Sequence, residues 1–167
     1  MDLAELLMLD HLAIRSKGHW NIPGKNTEIF IDFATFIDDC HVQVEEKVFF
    51  PIITEFEWED KESFRKTVDR IKADHKLIKT LGDNLKKWLS SGNSNFELRL
   101  PLYYKTVEEH NSSEEKSIFN RWPLLSEEVR KNAMKESLDI IDGFGIDKYI
   151  SETESSKEFI LYIKNVK

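Results

Sequence analysis

Residues 36–51 read Phe36-Ile37-Asp38-Asp39-Cys40-His41-Val42-Gln43-Val44-Glu45-Glu46-Lys47-Val48-Phe49-Phe50-Pro51. Ile37, Val44 and Val48 recur at the steps of one helix face, with His41 between them and Glu45 four residues beyond His41. A histidine and a carboxylate one turn apart on a core-facing stripe must be satisfied by something, because an uncompensated buried polar group costs several kcal/mol. The same spacing recurs at His110 and Glu114. Glutamate at 19 of 167 positions would place about 0.6 such pairs behind five histidines by chance. The spacing therefore gains weight only from where the pairs fall.

Periodicity and punctuation predict four long helices, at about residues 3–17, 27–56, 61–89 and 96–120. Leu3, Leu6, Leu7 and Ile14 mark the first apolar face, and Phe30, Phe33 and Ile37 continue into the quoted stretch. Phe64, Val68, Ile71, Ile78, Leu81 and Leu85 mark the third. Residues 18–26, with Pro23 and Gly24, read as a loop, and 90–95 as a turn. Pro51 is expected to kink the second helix, whereas Pro101 falls in the first turns of the fourth, where proline is tolerated. His41 and His75 stand about equally far from the turn between their helices, as do His75 and His110. In an up-down-up-down bundle the three then share one height. His11 reaches that level if the 18–26 loop climbs in extended form, at roughly 3.3 Å per residue. Past Trp122-Pro123, a further helix at about 126–141 and an amphipathic stretch at 148–164 are expected on the outside of the bundle. The all-α chain thus divides into a bundle over 1–122 and a C-terminal helical extension over 123–167.

His11, His41, Glu45, His75, His110 and Glu114 are then six inward polar groups at one level. Four imidazoles and two carboxylates suit iron, manganese or zinc, and lack the thiolates of a structural zinc site. Six ligands exceed what one tetrahedral zinc needs; two metals sharing both carboxylates use all of them. Metal binding should couple to folding, since the same groups without metal leave a costly polar hole.

The 36–51 stretch resembles the hemerythrin HHE cation-binding signature, a His-x3-Glu-Glu followed by two residues, an aromatic or leucine pair and proline. His11 in Leu9-Asp10-His11-Leu12-Ala13-Ile14-Arg15 is similar to that family's first-helix histidine, and His75 in Asp74-His75-Lys76-Leu77-Ile78 to its third-helix one. His110-Asn111-Ser112-Ser113-Glu114-Glu115, followed by Ile118-Phe119, resembles the second His-x3-Glu. The resemblance runs over residues 7–120 and leaves 123–167 without a counterpart. It implies a hemerythrin-like bundle with two non-haem iron ions and an oxo or hydroxo bridge. Glu45 and Glu114 would bridge the irons, the four histidines would supply nitrogen, and manganese or zinc could stand in. The implied partner is a small diatomic or peroxide ligand: dioxygen, peroxide or nitric oxide. Ferritin-like bundles use Glu-x-x-His instead, a spacing absent here. Two departures matter. Oxygen-carrying hemerythrins have a second histidine four residues after the third-helix one, where this chain has Lys79; their last carboxylate is an aspartate five residues after its histidine, where this chain has Glu114 at four. One protein nitrogen fewer disfavours reversible oxygen carriage and favours reactive chemistry or sensing.

A net charge of -7 argues against attraction to nucleic acid or anionic lipid. No apolar run reaches membrane-spanning length, and no Gly-rich phosphate loop, nucleophile elbow or Cys-x-x-Cys pair occurs. A single cysteine, Cys40, excludes an internal disulfide, and Asp2 and Glu5 without a basic region do not read as a signal peptide. A cytoplasmic protein is the resulting expectation, with a protein partner or homo-oligomer left open. Three functional readings follow: a di-iron protein that binds or reduces a small oxidant, an iron- or oxygen-sensing regulatory module using 123–167 as a helical partner surface, and a metal-free helical scaffold. His19, eight residues after His11, is either a fifth nitrogen ligand or a loop residue. Tyr103 either donates to a bound oxygen species, or even ligates, or else fills the core. Glu46 and Glu115 read as solvated or as supports for a ligand, Cys40 as a packed free thiol. Asp10 and Asp74 do not face the histidines they adjoin.

Overall fold

Four prolines and six glycines in 167 residues leave the apolar periodicity almost uninterrupted, which favours long helices. The structure, a computed structural model, describes residues 1–20 and 27–165, with side chains at 1–18 and 29–164. Helix α1, Leu3–Trp20, opens on a reciprocal cap: the backbone N–H of Asp2 donates to Glu5 at 2.8 Å and that of Glu5 to Asp2 at 3.2 Å. It runs on through Gly18, so the loop expected from residue 18 does not begin there; the expected climb of the chain falls on residues 21–26, outside those described. Helix α3 is Lys61–Ser90 and α4 is Asn95–Ser117, followed by a 3-10 turn, Phe119–Leu124. Pro101 lies in the second turn of α4, which starts at Asn95, and there the carbonyl of Glu97 loses its helical donor.

Helix α2 is a single rod over 27–55. Three α-helical pieces, Thr27–Phe36, Val42–Val44 and Phe50–Glu55, alternate with two π-helical turns, Ile37–His41 and Glu45–Phe49. The core explains them. Phe33, Ile37, His41, Glu45, Phe49 and Ile53 are all buried, a strict every-fourth-residue run. An ideal α-helix overshoots by about 40° at each four-residue step, which would swing Ile53 about 200° away from Phe33. Each π-turn closes an i→i+5 hydrogen bond, Val42 N–H to Ile37 and Phe50 N–H to Glu45, and the widened turn takes part of the overshoot back. The second ends just ahead of Pro51, and the helix carries on past the proline to Glu55.

Helices α1–α4 form the bundle, α3 lying along α4, with α1 against α4 and α2 against α3. The expected apolar positions are buried, except that Gly82 takes the inward slot assigned to Leu81 and packs on the ring of Tyr103. The 3-10 turn closes one end: Trp122 stacks on Phe49 at 4.7 Å, and Arg121 grips Asp60 through two 2.6 Å bonds while its guanidinium lies 4.1 Å over Phe64.

Three helices follow: α5 Glu127–Phe144, α6 Ile146–Thr153 and α7 Lys157–Asn165. Gly145, at φ +111°, makes the sharp turn between the first two. Glu154 adopts a left-handed φ of +53°, which splits the single stretch expected at 148–164. Helix α5 lies over α1 and the middle of α2, and α6 over α1 and the start of α2. Leu138, Ile141 and Tyr149 join the same buried cluster as the bundle residues. The extension thus shares its buried residues with the bundle it lies over. No helix among the described residues is long and apolar enough to cross a membrane.

Candidate metal centre

Helix α1 supplies His11, α2 His41 and Glu45, α3 His75, and α4 His110 and Glu114. All six are buried and meet at one level of the bundle. The four-residue spacings predicted from sequence hold: Nε2 of His41 stands 3.2 Å from Glu45 Oε1, and Nε2 of His110 stands 3.4 Å from Glu114 Oε1.

The donor atoms sort into two groups. His11, His41, Glu45 and Glu114 form one; His75, His110 and the same two glutamates form the other. Within the first, His11 Nε2 lies 3.7 Å from Glu45 Oε1 and 3.4 Å from Glu114 Oε2. Within the second, His75 Nε2 lies 3.3 Å from Glu45 Oε2, 3.9 Å from Glu114 Oε1 and 3.0 Å from His110 Nε2. Each carboxylate thus turns one oxygen to each group. Ligands held at about 2.1 Å from one cation are separated by about 3.0 Å at right angles and about 3.4 Å at tetrahedral angles, so both groups have the spacing a cation requires.

Four more carboxylates stand behind the histidines. Nδ1 of His11 donates to Glu115 at 2.8 Å, that of His41 to Asp10 at 3.2 Å, and that of His75 to Glu46 at 2.9 Å; Asp74 stands 3.8 Å from Nδ1 of His110. Each acceptor belongs to the preceding helix of a closed ring: α1 serves α2, α2 serves α3, α3 faces α4, and α4 serves α1. Sequence reasoning set Asp10 and Asp74 aside because neighbours on a helix do not face each other. That geometry is right, but each carboxylate reaches across to the next helix. The signal was legible as an acidic residue beside one ligand on every helix: Asp10-His11, Glu45-Glu46, Asp74-His75 and Glu114-Glu115.

A proton fixed on Nδ1 leaves the Nε2 lone pair pointing inward. The centre is then a convergence of electron-pair donors. Among the described residues, Nε2 of His11 and His41 and all four carboxylate oxygens of Glu45 and Glu114 are buried with no hydrogen-bond partner. Such an array demands positive charge. Without metal, protons supply it. Burial opposes a charged His41, yet the nearby Glu45 charge and the bond to Asp10 push it up to about 9. His75 rises to about 9 against its own burial, chiefly through Glu45. Burial and the neighbouring histidines push His110 down to about 3, and burial with the Glu45 charge lifts Glu114 to about 7. Cations in the two groups would replace those protons. The residues fit a metal centre.

The other candidates separate clearly. Lys79 turns outward to Asp38 at 3.5 Å and Asp83 at 3.7 Å, so it does not take the place of the missing nitrogen. Tyr103 packs against Phe30, Phe33 and Gly82, and its buried hydroxyl has no hydrogen-bond partner among the described residues. Cys40 is a buried free thiol whose pKa burial pushes well up. The side chain of His19 lies outside the described residues. Sequence reasoning missed Tyr149, whose hydroxyl donates to Asp10 at 2.6 Å.

Comparison with known proteins gives a family model described as Hemerythrin HHE cation binding domain, which matches residues 2–122. No curated protein and no solved structure matches the chain.

Proposed function

The chain belongs to the hemerythrin HHE cation-binding family, and from that premise we propose that its centre holds two non-haem irons and acts on a small oxidant: dioxygen, peroxide or nitric oxide. The observation carrying this reading is that Glu45 and Glu114 each offer one oxygen to each of two overlapping donor groups. His11 and His41 would hold one ion, His75 and His110 the other, and the two glutamates both.

When bound, the ions would supply electrons and Lewis acidity to the oxidant. The protein's own work is to hold and to exclude. Glu115, Asp10 and Glu46 fix the imidazole rings through their Nδ1 atoms, which raises ligand basicity. Phe119 stacks on His11 at 5.2 Å and Phe50 on His75 at 5.7 Å, so aromatic faces flank the centre from both groups and keep bulk water off it. Two histidines per ion, with Lys79 turned away, leave fewer protein ligands than an oxygen carrier has. That favours reaction with the oxidant over reversible carriage.

Protein purified without added metal should carry roughly two irons per chain, and a strong chelator should lower its melting temperature by several degrees, because binding energy at such a centre is folding energy. A chain that carries no metal or a single zinc, or whose melting ignores chelation, ends the reading.

A further inference from the structure

Of the four carboxylates behind the histidines, three are held without help from beyond the family match. Glu115 is gripped by Arg15 at 2.5 Å, while Glu46 and Asp74 are about two-fifths exposed to water. Asp10 differs. It is buried, and its two oxygens have two different partners: Oδ2 accepts from His41 Nδ1 at 3.2 Å, and Oδ1 accepts from the hydroxyl of Tyr149 at 2.6 Å. Tyr149 is itself buried, with its ring against Phe36 at 5.9 Å, and it sits on α6, well past the end of the family match. A second strap holds α6 on α1: Lys17 donates to Glu152 at 2.7 Å and to the carbonyl of Ser151 at 3.1 Å.

A carboxylate pinned at one oxygen by a short hydroxyl bond cannot swing, so its other oxygen stays aimed at the imidazole. That aim keeps the His41 proton on Nδ1 and its Nε2 lone pair inward. We propose that Tyr149 is a positioning residue for the His41 half of the centre, so that docking of α6 and retention of metal depend on each other. The proposal rests on the reading that the centre holds iron. By linkage, whatever factor α6 docking adds to metal affinity, metal adds to α6 docking. The C-terminal extension thereby becomes a segment whose order reports the state of the centre, through the Tyr149–Asp10–His41 chain.

The test loads the full chain with ferrous ion without oxygen and follows iron release to a chelator, together with amide hydrogen exchange over residues 146–153. Tyr149→Phe, which keeps the ring against Phe36, should still take two irons but release the first of them about ten-fold faster or more. Exchange over α6 should slow on loading in the wild type and respond less in the variant. Glu152→Gln only weakens the neighbouring strap: Lys17 still holds the carbonyl of Ser151 and Tyr149 still holds Asp10, so α6 stays docked and iron release should stay near the wild-type rate. Wild-type release from Tyr149→Phe, or an equal loss from Glu152→Gln, overturns the proposal. If Tyr149→Phe fails to fold, Asp10→Asn reads the relay from its other end, and wild-type release there overturns it equally. A wild type that takes up no iron overturns the proposed function, and the relay with it.

Discussion

A histidine on an apolar stripe is ambiguous alone, and here the second nitrogen of three rings out of four removes the ambiguity. Three of the four imidazoles have Nδ1 committed to a carboxylate at 2.8–3.2 Å, whereas Asp74 stands 3.8 Å from the fourth and is partly exposed. The ring of supports is therefore uneven, and the unevenness is measurable. Glu46→Gln and Glu115→Gln should each weaken iron binding about 10- to 100-fold, whereas Asp74→Asn should change it by no more than about three-fold, since its contact lies beyond hydrogen-bond range. Chelator competition on the three variants decides it, and equal losses in all three would contradict the geometry. The six inward residues were legible in the sequence because spacing and apolar context both survive in one dimension. Their supports showed there only as an acidic residue beside a ligand on every helix; which imidazole each one serves did not, because Asp10 and His41 meet only once two helices are packed.

The boundary at Ser90–Asn95 followed from the sequence, whereas those expected at Gly18, which α1 runs through, and missed at Glu154, where a left-handed residue does the work, did not. The two π-turns in α2 escaped for another reason. Reading residues 33–53 as a plain α-helix absorbs a four-residue repeat without protest, and only its cumulative drift betrays the misfit. A deletion exposes what these turns do. A π-turn spends one extra residue on its turn, so removing Lys47, an exposed residue within the second one, should let it close as a plain α-helical turn with Phe49, Phe50 and Ile53 still facing the core. Removing Asp32, an exposed residue of the plain α-helical stretch Thr27–Phe36, should instead turn Phe30 about 100° away from the core. Losing even one such side chain from the interior costs about 1.5–3 kcal/mol, so melting of the second deletion should fall by roughly 3 °C or more. Equal melting of the two deletions would mean the wide turn does not absorb an extra residue.

For the whole molecule, the family match ends at residue 122, but the buried cluster does not. Met134, Leu138, Ile141 and Tyr149, on helices that lie over α1 and α2, belong to that cluster, as does Ile160, and each is worth about 1.5–3 kcal/mol of burial against a total stability of about 5–15 kcal/mol. We therefore expect a chain cut after Trp122 to be helical by circular dichroism yet to lack a cooperative melt. A sharp transition near that of the full chain would show that residues 1–122 suffice. The closed ring of carboxylates has a consequence at this scale as well. It has a sense of rotation, each helix lending its acid to the one that follows. A bundle wound the other way could bury the same leucines and phenylalanines, but every acid would then stand beside the wrong imidazole. Greasy faces cannot tell the two windings apart; the polar centre can, and so it acts as a proof-reader of handedness.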